Sequence, residues 1–215
     1  MARISLTERA ERIDGRLVHR YAWRGRRVPV CDSMRDMLLV IELFGDDWLG
    51  DRAKSAILPR MLFPASELAA IVRDAGDGLA DLITTVIREA CGLDVSGDAG
   101  GERVFDWDED AERISASVSM AYGQPWDEFA DTHSYREGCA LLGALLETTT
   151  PTPFREAVMY RVGKPPEDPQ AAAAWRDAAR HYALGGGAVT VDRMEREAAK
   201  AGDIFAALER RAAHV

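Results

Sequence analysis

Residues 16–45 read "RLVHRYAWRGRRVPVCDSMRDMLLVIELFG", and the change of period inside this stretch decides the fold. Leu17, His19, Tyr21 and Trp23 alternate with Val18, Arg20 and Ala22, the two-residue period of a strand. Arg24-Gly25 supplies a turn and "RRVPV" returns. Pro29 has no N–H to give a ladder, so the returning strand belongs at an edge. The period then becomes helical. Ser33 and Asp36 form a capping-box pair ahead of Met34, Met37, Leu38 and Ile41, which share one face. A lone hairpin is marginal in water and must lean on something. The face of Tyr21 and Trp23 is the one expected to do so.

After this junction the chain reads as helix after helix. One is expected over about 51–62, stopping near Pro64, and another begins near Ser66. The cleanest period joins Leu79, Leu82, Ile83, Val86, Ile87, Ala90 and Cys91, a core stripe. "GLDVSGDAGGERV" is a loop by composition. Further helices are expected around Cys139, Leu142, Leu145 and Leu146. Another opens at Thr152-Pro153 and carries Phe154, Ala157, Val158 and Arg161. A strongly helical "QAAAAWRDAARHYAL" ends at Gly185-Gly186-Gly187. Thr190 then caps a last helix with Val191, Met194, Ala198, Phe205 and Leu208 along one stripe. The fold class is mainly α: a multi-helix globular domain with a short N-terminal β-hairpin. The expected organisation is a segment 1–31 packed on a helical body 32–187, with a C-terminal helix 188–215 able to act as an arm.

Composition narrows the function. Apolar residues make up 47% and charged residues 29% of the 215, which is globular and not disordered. Net charge is −9, yet residues 1–30 hold eight Arg against Glu8, Glu11 and Asp14. An acidic body argues against nucleic acid as a partner, because phosphate contacts need clustered cations. Apolar runs fall short of the roughly 20 residues a membrane span needs, and the N-terminus has no apolar secretory core. Cys31, Cys91 and Cys139 have no metal spacing and read as reduced thiols.

Residues 105–114, "FDWDEDAERI", pose the main chemical question. Five carboxylates crowd there: Asp106, Asp108, Glu109, Asp110 and Glu112. An EF-hand loop starting at Asp106 requires glycine at its sixth place and glutamate at its twelfth, where Ala111 and Ser117 stand. A helix start is the better reading, with Asp106 as cap, Glu109 at the third helical position and the acids facing the positive end of the helix dipole. The group is expected to be wet. Acid–base catalysis needs a carboxylate in a dry pocket with a perturbing partner, which such a group lacks. No phosphate-binding loop, nucleophile elbow or zinc motif is present, and Lys164 in "VGKPP" precedes prolines instead of a helix. His133 and Cys139 leave a Cys–His pair open. No cofactor, metal ligand or catalytic residue is assigned. Trp48, Trp126 and Trp175, with Met194, Phe205 and Leu208 of the terminal stripe, are the candidate partner-binding residues; large aromatics at helix edges serve either as core or as interface anchors.

The order of segments resembles a family of siphophage proteins, the tail assembly chaperones, encoded between the tail-tube and tape-measure genes. Four stretches carry the resemblance: "RGRRVPVCDSMRDMLLVIELFGDD" at 24–47, "VFDWDEDAERISASVSMAYG" at 104–123, "YREGCALLGALLETTTPTPFREAVMYRV" at 135–162, and "AAWRDAARHYAL" at 173–184. "FDWDEDA" and "FREAVMYR" are its most specific parts. The family pattern has an aromatic pair before the "ALL" helix where this chain has only Tyr135. The resemblance implies a noncatalytic protein of the host cytoplasm, absent from the mature virion. It implies binding to the tape measure protein, with tail-tube subunits and copies of itself as further partners. A structural tail or head–tail component retained in the virion, and an enzyme with an unrecognised site, remain as other readings.

Overall fold

Two Asp-Gly- and Arg-Gly-type reversals build the N-terminal sheet. In the computed structural model, which describes residues 9–92 and 104–185, Asp14 and Gly15 both have positive φ (52° and 79°), as do Arg24 and Gly25 (46° and 77°). Paired positive-φ residues suit the tight turns whose twist matches a β-hairpin. They join β1 (Glu11–Ile13), β2 (Arg16–Trp23) and β3 (Arg26–Cys31) into an antiparallel sheet in the order β1-β2-β3. The expected hairpin is β2–β3, with Arg20 opposite Pro29 and Tyr21 opposite Val28. β1 is an addition, and it makes β2 the central strand. Pro29 does lie on an edge strand.

Helices follow: α1 (Met34–Gly45), α2 (Asp51–Leu62), α3 (Ala65–Ala75), a short 3-10 turn (Gly76–Gly78), α4 (Leu79–Cys91), α5 (Ala111–Tyr122), α6 (Trp126–Thr132), α7 (Tyr135–Glu147), α8 (Pro153–Val162) and α9 (Pro169–Tyr182). The mainly α architecture with a small N-terminal sheet is therefore the observed one. The described residues form two compact units, 9–92 with 130–138 and 104–129 with 139–185. The sheet lies in the same unit as α1–α4, and the stretch expected as one helical body divides between the two. The terminal helix expected at 188–215 lies outside the described residues.

Caps follow the chemistry of the sequence. Ser33 Oγ accepts the Asp36 N–H at 3.1 Å, Thr152 Oγ1 the Arg155 N–H at 3.3 Å, and Asp168 Oδ1 the Ala171 N–H at 2.8 Å. Ser134 and Glu137 form a full reciprocal box at the start of α7: Ser134 N–H donates to Glu137 Oε2 at 3.0 Å and Glu137 N–H to Ser134 Oγ at 3.3 Å. The capped starts of α1 and α7 pair through a β-bridge, with Met34 N–H on the His133 carbonyl and Tyr135 N–H on that of Asp32, each at 2.8 Å.

The first unit's core is the stripe of α4 (Leu82, Ile83, Val86, Ile87) with Met34, Met37 and Val40 of α1 and Leu58 and Leu62 of α2, all fully buried. Each such side chain contributes about 1.5–3 kcal/mol relative to exposure. The sheet leans on this core. Leu17, Tyr21 and Trp23 are buried, and Trp23 Nε1 donates to Asp81 Oδ2 of α4 at 2.9 Å. Arg16 of β2 bonds the Asp36 carboxylate at 2.8 Å and the carbonyls of Arg60 and Met61 at the end of α2. A cation suits a helix C-terminus.

Candidate functional site

The five-acid run is only partly wet, which corrects the expectation. Asp106 is 3% and Asp110 0% exposed, while Asp108, Glu109 and Glu112 face solvent. Asp106 closes the turn leading into α5, its Oδ1 accepting the N–H groups of Asp108 and Glu109, each at 2.8 Å, and the helix N-cap position expected of it falls instead to Asp110. The helix proper starts later, at Ala111. Asp110 is drawn inside by an arginine far away in sequence. Arg161 Nη1 and Nη2 donate to its two oxygens at 2.6 and 2.8 Å, and Arg113 adds a third contact at 2.9 Å. Arg161 is itself 8% exposed in its side chain, and also donates to the carbonyls of Val104 at 3.1 Å and Tyr182 at 2.6 Å. One guanidinium thus ties α8 to the start of α5 and the end of α9. A bidentate, multiply bonded guanidinium is the form in which a buried charge pair is tolerated. These carboxylate oxygens are engaged by N–H donors in a structural knot.

A second polar knot sits on the sheet. Asp32, 1% exposed, accepts the Tyr21 hydroxyl at 2.7 Å, and His19 Nδ1 lies 2.8 Å from its other oxygen. Burial, then the neighbouring carboxylate, pushes the Tyr21 phenol far above its ordinary range, so it remains a donor. Burial likewise pushes the Cys31 thiol up to about 12, which keeps it protonated at neutral pH and poor as a nucleophile. Cys91 Sγ contacts Met37 Sδ at 3.0 Å inside the same core. Neither knot was foreseen from sequence. A usable signal existed for the first: Arg161 continues the apolar stripe Phe154, Ala157, Val158, and an arginine on a core face requires a buried acceptor.

The candidate binding residues separate. Trp175 of α9 is half-buried, its ring centroid 4.6 Å from that of Tyr160 on α8, in a space that Gly163 leaves open. A Cβ at Gly163 would come within 2.7 Å of that indole. Trp126 is half-buried at the start of α6 and stacks on Phe129 at 5.8 Å. Trp48 stands alone, 97% exposed. Met194, Phe205 and Leu208 lie outside the described residues.

Trp48 is held out by its backbone. α1 ends at Gly45, and Asp46 Oδ1 then accepts the N–H groups of Trp48 at 2.7 Å and Leu49 at 3.2 Å. This Asx-type turn reverses the chain before α2. Lys54 of α2, 2% exposed, reaches back and donates from Nζ to the Phe44 carbonyl at 3.0 Å. The connection is therefore tied at both ends, with the indole on its outer side. An aromatic of this class buries about 150–250 Å² when covered, roughly 4–6 kcal/mol of hydrophobic free energy at about 25 cal/mol per Å². That stabilisation goes unused among the described residues. No family model matches the chain, and no curated protein and no solved structure is significantly similar to it.

Proposed function

We propose that the chain is a noncatalytic tail assembly chaperone, which binds the phage tape measure protein and helps recruit tail-tube subunits in the host cytoplasm. The observation that carries the binding half of this reading is Trp48, a whole indole held in solvent on a tied turn. Tryptophan is the side chain most enriched at interface hot spots. Met120 and Val162, 63% and 55% exposed, add further apolar surface. The tape-measure assignment rests on the resemblance in segment order at 24–47, 104–123, 135–162 and 173–184. The two conspicuous polar clusters are accounted for by internal hydrogen bonding, which supports a binding role over a catalytic one.

Co-expression tests the reading. The tape measure alone is expected to aggregate, and this chain to keep it soluble in a complex that co-purifies. A tape measure that stays soluble and ignores this chain, with the chain at fixed copy number in finished virions, makes it a structural component instead.

A further inference from the structure

We propose that the connection between α1 and α2 is a docking knob for a cationic, amphipathic helical segment of the partner protein, with Trp48 as its apolar centre and the surrounding carboxylates as its rim. This deepens the chaperone reading and rests on it for the identity of the partner. The indole is 97% exposed on a turn fastened by Asp46 and Lys54, so the backbone that presents it is already ordered. The stretch around it is predominantly acidic. Glu42, Asp46, Asp47 and Asp51 fall within ten positions with Trp48 among them. The cations of the same stretch are Arg52 and Lys54, and the Lys54 ammonium is committed to the Phe44 carbonyl inside the fold.

That charge decides among the occupants an exposed tryptophan can take. An anionic membrane or a nucleic acid would bring phosphates against this rim, and like charges at close range oppose binding. An acidic protein segment meets the same repulsion. A helix carrying Lys or Arg beside an apolar stripe instead lays its stripe on the indole and its cations against the carboxylates. The indole face adds attraction for a cation directly. Helix-against-surface recognition of this kind needs few side chains on each partner.

The test uses the full chain and two labelled synthetic peptides of equal length, one a Lys/Leu amphipathic helix and one its Glu/Leu counterpart. Equimolar phosphatidylglycerol–phosphatidylcholine vesicles form a third arm. Binding to the Lys/Leu peptide is expected, weakening as salt rises, with the Glu/Leu peptide and vesicles bound far less tightly. Trp48→Ala should leave the melting temperature unchanged and weaken binding at least about tenfold, as a hot-spot truncation does. The triple variant Asp46→Asn, Asp47→Asn, Asp51→Asn keeps the oxygen that closes the turn and should flatten the salt dependence. Undiminished binding by Trp48→Ala, equal binding of the two peptides, or tighter binding to vesicles each overturns the proposal. The tape measure separates this from the broader reading. If both variants solubilise it as the parent does, the knob is wrong and the chaperone stands. If the parent itself has no effect on it, the chaperone reading fails whatever the peptides show.

Discussion

Substitution of Asp110 by Ala should be the most damaging single change in the five-acid run. The carboxylate is fully buried and accepts two bonds from Arg161 and one from Arg113. Removing it leaves the Arg161 guanidinium, 8% exposed, without its counter-ion. Breaking a buried pair from one side costs about 3–5 kcal/mol. For a chain of this size that lowers the melting temperature by roughly 6–20 °C. Asp106→Ala should cost less, about 0.5–2 kcal/mol, because it removes the acceptor that closes the turn before α5. Asp108→Ala and Glu112→Ala, on the exposed side of the same run, should fall within about 0.5 kcal/mol of the parent. Thermal unfolding followed by circular dichroism and by tryptophan fluorescence measures all four. Asp110→Ala unfolding with Asp108→Ala and Glu112→Ala would refute the buried knot and restore the solvated acidic helix start. A double-mutant cycle on Asp110 and Arg161 gives a second measure: their coupling should exceed about 1 kcal/mol, the upper end for exposed pairs.

Other outcomes follow from the same packing. Gly163→Ala should destabilise by about 1–3 kcal/mol because its Cβ meets the Trp175 ring and the Met159 carbonyl, whereas Gly143→Ala in the open middle of α7 should stabilise by about 0.4–1 kcal/mol; urea midpoints distinguish the two. Lys54→Ala should cost about 1–3 kcal/mol by removing the buried Lys54–Phe44 hydrogen bond, while Arg52→Ala on the exposed side of the same helix should change little in the same titration. Calorimetric titration with calcium or magnesium should show no site of micromolar or tighter affinity, and such a site would overturn the hydrogen-bonded account of the acids. Deleting residues 1–31 removes buried Leu17, Tyr21 and Trp23 from the α4 side of the core and should lower solubility; a monomeric truncation with unchanged melting would make the sheet an appendage.

Local chemistry settled most of the elements. The alternation of 17–23, the Arg24-Gly25 turn, the Ser33 and Thr152 caps and the stripe of α4 each lie within a few residues. Propensity and hydrogen bonding act over that range. Two further elements also have local signals: Asp14-Gly15 is a strong hairpin dipeptide that adds β1, and Ser134-x-x-Glu137 is the box that starts α7. α6 has no legible period, because it spans only Trp126–Thr132 and its fully buried apolar residues, Phe129 and Ala130, are adjacent. What the tertiary structure alone decided is which members of a local pattern go inside. Asp110 and Asp108 are equivalent in composition and two residues apart. Only the arrival of Arg161, 51 positions on, makes one of them core and leaves the other in water. The tryptophans divide for the same reason. Trp175 finds Tyr160 and the gap at Gly163, Trp126 finds Phe129, and Trp48 stays 97% exposed on its turn. Burial depends on which distant surface a side chain meets, and the sequence near it does not contain that surface.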